Sequence, residues 1–127
     1  MFETLSLNAA CKEQHEMVIA KGFEPQPVPT DLMLIVSELG EACEADRKNR
    51  HAEMEHYERA MSNPPTPDNF KQACFEGLIK DSFEDEIADA FLRLMDLCGA
   101  MDIDIEKHIR LKAEYNLSRP PKHGKEY

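Results

Sequence analysis

With 127 residues, 42% of them hydrophobic and 31% charged, the chain is long enough for one domain with a real core, too short for two ordinary ones, and well outside the disordered class. A net charge of −10 excludes a general binder of nucleic-acid polymers, whose phosphates are held by basic surfaces. The start MFETLSLNAA lacks a basic, then apolar leader, and no run approaches the ~18 apolar residues of a membrane span, so a cytoplasmic protein without a membrane partner is expected.

Strand signals are almost absent, and the chain reads as helices. The first is predicted from about Ser6 to Lys21, with Leu7, Ala10, Cys11, Met17 and Val18 at helical spacing and Gly22 as its stop. Pro25, Pro27 and Pro29 interrupt it, and Thr30 is the expected N-cap of a second helix. That helix carries Leu32, Leu34, Ile35, Val36, Leu39, Ala42 and Cys43 around nearly its whole circumference, the pattern of a buried helix. From Arg47, RKNRHAEMEHYERAM reads as a solvated continuation or a separate surface helix, followed by the loop SNPPTPDN and a short helix at about Phe70 to Ile79. Ser82 and Asp85 resemble a capping box opening FEDEIADAFLRLMDLCGAM, and Asp104 caps a last helix over about Ile105 to Leu117. The expected fold is therefore all-α, a bundle of four to five helices, and so much apolar helix surface on a small chain predicts completion by a homodimer or homotetramer.

Cys11, Cys43, Cys74 and Cys98 form no CxxC pair or Cys/His knuckle and read as reduced thiols, mostly in the core. Charge is unevenly spread: from Arg110 to Tyr127 the chain is +3, and the rest is −13. Such an acidic body with a basic tail suits a ligand that brings both metal ions and phosphates.

Two acidic pairs stand out. Glu38 and Glu41 are neighbours on one helix face, and Glu86 and Asp89 repeat the i, i+3 arrangement on another apolar helix. Acids make up about one residue in five, so this spacing alone also arises by chance, and Glu86 lies in a first turn where the helix dipole favours acids. The apolar context argues further: carboxylates facing one another across a bundle require a counter-charge. Mg²⁺, with Mn²⁺ as substitute, is the natural one, since it takes oxygen ligands and is commonly shared between carboxylates and substrate phosphates. Gly40 leaves room for a close helix approach.

SELGEACEA followed by FEDEIADAFLRLMDLCGAMDIDIEKHIRLKAEYNLSRPPKHGKEY resembles the MazG-like branch of the all-α nucleoside triphosphate pyrophosphohydrolases, over Asp31 to Arg47 and Ser82 to Tyr127. The resemblance implies metal-dependent attack of water on the α-phosphate of a nucleoside triphosphate, giving the monophosphate and pyrophosphate. It carries the metal ligands onto Glu38, Glu41, Glu86 and Asp89, with Glu41 or Glu38 orienting or deprotonating the water. Substrate contacts carry over onto Lys112 and Asn116, and onto Arg119, His123 and Lys125 in the basic tail 118–127. Two features depart from the pattern. Ser37 stands where the family has its first glutamate, and the 44 residues between Glu41 and Glu86 exceed the usual gap, which marks about 48–80 as an insertion in a single domain 1–127.

Two other classes fit parts of the sequence. Glu53 and His56 spell the ExxH of a di-iron carboxylate bundle, though no second buried ExxH is present. A non-enzymatic acidic helical adaptor would use the same helices against a partner and leave its acids in water.

Overall fold

The computed structural model describes residues 6–65 and 69–124, with the backbone alone for 123 and 124. Among the described residues there are six α-helices and no strand: α1 Leu7–Ala20, α2 Val28–Arg47, α3 Met54–Ser62, α4 Phe70–Leu78, α5 Phe83–Ala100 and α6 Ile105–Ser118, followed by a 3-10 turn at Pro121–Gly124. The all-helical class agrees with the sequence, but the helix count exceeds the expected four to five, because RKNRHAEMEHYERAM breaks after Arg47 and re-forms as the separate α3. No described helix is long and apolar enough to cross a membrane.

Helix ends follow local chemistry. The Ser6 hydroxyl accepts from the amide of Ala9 and starts α1, and Asp104 accepts from Lys107 to start α6. The Ser82 hydroxyl accepts from Asp85, but the returning bond from the Asp85 carboxylate goes to the amide of Asp81 and not to that of Ser82. Thr30 is not the cap of α2. The amides of Thr30 and Asp31 donate to the carbonyl of Pro27, so the first turn already holds Val28 and Pro29, where proline's missing N–H is no loss.

Three helices stop in the same way, with a residue in the left-handed region and paired bonds back to the last turn. Gly22 does this after α1 at φ 89°, Asn49 after α2 at φ 57° and Asp102 after α5 at φ 52°. Beyond Asn49 the amide of Arg50 donates to the carbonyl of Ala45 at 2.8 Å, which fixes where Arg50 leaves the helix.

The chain forms two compact units, Gln26–Leu94 and the pairing of Met1–Pro25 with Met95–Tyr127. In the first, α3 packs on α4, and Ile35, Ala42, Ala45, Ile79 and Ala90 are buried. The amide of Phe83 donates to the carbonyl of Arg50, and that of Glu53 to the carbonyl of Leu78, both at 2.9 Å. Glu84 in the first turn of α5 accepts from the amide of Ala52 at 2.8 Å and pairs with His51 Nδ1 at 2.9 Å. These bonds hold the 50–53 turn on the start of α5.

In the second unit α1 packs on α6, and Asn8 joins their starts by donating to Asp104 and accepting from the amide of Glu106. His15 Nδ1 meets Asp96 at 2.9 Å. A Cβ added at Gly99 would lie 2.4 Å from the carbonyl oxygen of Cys11 and 2.8 Å from Cβ of His15, so glycine is what lets α5 touch α1 there. Cys11 and Cys98 are buried beside each other as free thiols, both pushed above the usual thiol range by burial. Cys74 is half-buried and Cys43 exposed, so only two of the four belong to the core.

Two sequence expectations fail at α2. Its apolar residues do not all sink: Ile35, Glu38, Ala42 and Ala45 form the buried face, whereas Leu32, Met33, Val36 and Leu39 lie exposed on this single chain. Gly40 marks no close helix approach, since nothing lies within 4 Å of where its Cβ would be.

Candidate metal centre

Glu38 and Glu41 come from α2 and Glu86 from the first turn of α5, and one carboxylate oxygen from each lies within 4.8 Å of the others. The i, i+3 spacing puts the first two on one side of α2. Glu38 and Glu86 are buried, at 8% and 6% exposure, and Glu41 is exposed. A cavity of about 320 Å³ lies beside them, lined by Glu41, Glu44, Ala45, Lys48, Arg50, Asp81 and Glu86.

Two buried carboxylates this close need compensation, and the structure provides it in two ways. Arg93 Nε donates to Glu38 Oε1 at 2.7 Å. Burial works to raise Glu38, but the hydrogen bond from Arg93 and the arginine's charge bring it below the usual carboxylate range. Glu86 has no such cation. Burial first, then the charges of Glu41 and Glu38, push it up to about 7, so near neutrality it keeps a proton for much of the time.

All donors in the cluster are carboxylate oxygens, with no sulfur or imidazole. That set suits a hard divalent cation such as Mg²⁺ or Mn²⁺ and argues against a structural zinc site. Oxygens bound to one Mg²⁺ lie at most about 4.2 Å apart, so a spread of 4.8 Å closes with small rotations of flexible glutamate side chains.

Asp89, one turn after Glu86, is exposed and stands outside the group of three. Its carboxyl is nevertheless raised, by burial of the carboxyl and then by Asp85 and Glu38, so it shares the cluster's field from the rim. Lys112, Asn116 and Arg119 belong to the other unit, on α6 and just after it, where Lys112 and Arg119 stack on the ring of Tyr115 at 5.0 and 5.5 Å. His123 falls in the 3-10 turn, and Lys125 lies outside the described residues. Glu53 and His56 are both exposed on the surface at α3, and among the described residues neither joins a group of three potential ligands.

Arg93 and Arg50 were missed by sequence reading. For Arg93 the signal was present: Glu86, Asp89 and Arg93 fall at i, i+3 and i+7, one face of α5. Arg50 had none, since its position depends on the left-handed turn at Asn49.

Comparison with protein-family models, with curated proteins and with solved structures finds no match.

The proton on Glu86 makes the unit's stability pH-dependent in the absence of metal. Its folded value of about 7 lies above the ordinary 4.5, so between those two the folded chain holds a proton that the unfolded chain has released. Stability therefore falls as pH rises from about 4.5 to 7 and is level above, with an upper magnitude of about 3 kcal/mol. Glu38, being lowered, acts oppositely and only below about 4.5. Thermal denaturation in chelator from pH 5 to 8 should show this decline, and Glu86→Gln should flatten it. An equal slope in the variant would remove Glu86 as its source.

Proposed function

We propose that this chain is a divalent-cation-dependent hydrolase that cleaves a nucleoside triphosphate into the nucleoside monophosphate and pyrophosphate. The observation that carries the reading is the meeting of Glu38 and Glu41 on α2 with Glu86 on α5, all oxygen donors, beside an open cavity. In its support, the cavity is also lined by two cations, Lys48 and Arg50. Lys48 is tied to Glu44 at 3.2 Å, whereas the guanidinium of Arg50 makes no hydrogen bond or ion pair to another described residue and is available to phosphate oxygens.

Glu38, Glu41 and Glu86 hold the cation, with Asp89 joining from the rim. Mg²⁺, or Mn²⁺ in its place, supplies positive charge against the phosphate oxygens and lowers the barrier to attack by water. Glu41, exposed at the cavity wall, takes the water's proton as general base, a role that Glu38, buried and not part of the cavity lining, is less well placed to fill. Lys112, Asn116, Arg119, His123 and Lys125 remain the resemblance-based substrate contacts. The exposed Leu32, Met33, Val36 and Leu39 of α2 support a homodimer or homotetramer, and the setting is cytoplasmic nucleotide-pool house-cleaning.

The test is product analysis over a panel of ribo- and deoxyribonucleoside triphosphates, with Mg²⁺ and with chelator. Pyrophosphate and the monophosphate should appear from at least one of them in Mg²⁺ and not in chelator. Release of orthophosphate alone, or no release from any, overturns the reading.

A further inference from the structure

We propose that Arg93 is a built-in counter-ion that competes with the divalent cation for Glu38, and so sets the cation concentration at which the carboxylate cluster fills. This rests on the reading of the cluster as a cation site and adds a regulator to it. The geometry is specific. Arg93 Nε lies 2.7 Å from Glu38 Oε1, and the Glu38 side chain is only 11% exposed, so the bond is a charge-assisted one shielded from water. Arg93 itself is 44% exposed. Its guanidinium can therefore swing into solvent when released, without leaving a buried charge behind.

Arginine also suits the role by chemistry. It does not lose its proton at any pH the protein meets, so its charge cannot be titrated away and the bond has to be exchanged for another cation. In the metal-free state Arg93 stabilises a carboxylate that would otherwise face Glu86 and Glu41 uncompensated. In the loaded state it adds like charge beside the ion. Both effects weaken cation binding relative to a chain without the arginine.

The experiment is calorimetric titration of Mn²⁺ into the full-length wild type, Arg93→Gln, Arg93→Lys and Glu38→Gln, with thermal denaturation of each in chelator and in Mn²⁺. Arg93→Gln should bind Mn²⁺ about ten-fold more tightly, a middling value for coupling between two ligands. It should also melt lower than wild type in chelator and gain more from Mn²⁺. Arg93→Lys, which keeps the charge, should stay within about three-fold of wild type.

If Arg93→Gln does not fold, the wild type itself gives the answer. The Arg93 Nε–H resonance, assigned by its absence in Arg93→Lys, should move to the position of a solvated arginine on saturation with diamagnetic Mg²⁺. Equal or weaker binding by Arg93→Gln, or a resonance unmoved by Mg²⁺, overturns the proposal while leaving the cation site intact, provided wild type binds and Glu38→Gln does not. Absence of binding in wild type and Arg93 variants alike overturns the cation site, and the proposal with it.

Discussion

Glu38→Gln is expected to lose metal-dependent pyrophosphate release by at least about 100-fold while keeping the fold. Even partners one shell outside a metal site cost 10- to 100-fold when replaced, and a buried donor in direct contact should cost no less. The substitution isolates charge from shape. Glutamine fills the same volume, and its amide oxygen still accepts from Arg93 Nε, so the buried face of α2 stays packed. What disappears is one negative charge of the cluster, which relieves repulsion with Glu41 and Glu86 and weakens the bond to Arg93. These changes oppose each other, so the melting temperature should move only by a few degrees. Steady-state assay of the variant beside its thermal melt reads both quantities. Activity near wild type would remove Glu38 from the metal set.

Gly99→Ala is the largest expected loss of stability from a single methyl group. The added Cβ would sit 2.4 Å from the carbonyl oxygen of Cys11 and 3.0 Å from its carbon, both backbone atoms of α1 that cannot rotate aside. Overpacking of this kind costs about 3 kcal/mol, and for a chain of this length the melting temperature should fall by roughly 10 °C. Gly40→Ala is the matched control. Nothing lies within 4 Å of its added Cβ, and the exchange inside α2 gains helix propensity, so it should be neutral or stabilising by up to ~1 kcal/mol. Calorimetric melts of the two would separate the sites. A Gly99 variant as stable as the Gly40 one would mean that α1 and α5 do not meet as described.

The contrast between those glycines shows what could be read from the sequence and what could not. Helical periodicity, the Gly22 stop and the Asp104 cap are local, and the helices they mark formed where expected. The spacing of Glu38 and Glu41 was equally legible, because i and i+3 share a helix face wherever the helix lies. Which glycine touches a neighbouring helix depends on packing, and no local pattern separates Gly99 from Gly40. The same limit explains α2. A helix apolar all round was read as buried all round, but this chain covers only the Ile35, Ala42 and Ala45 side, leaving Leu32, Val36 and Leu39 in solvent. Asp89 carries a similar lesson: its i, i+3 spacing from Glu86 was legible, but its rotation about α5, which leaves it at the rim while Ala90 next to it takes the interior, was not.

The bonds between Arg50 and Phe83 and between Glu53 and Leu78 make a neck, at which the chain departs from the α2 end and returns to the α5 start at one point. Residues 51–82, with α3 and α4, hang from that neck as a closed loop. Closure entropy grows only with the logarithm of loop length, so doubling the loop changes it by about 0.6 kcal/mol. Length within the loop is thereby decoupled from the spacing of Glu38 and Glu41 against Glu86. A stretch of chain far longer than the gap it spans can be carried there without pulling the three carboxylates apart.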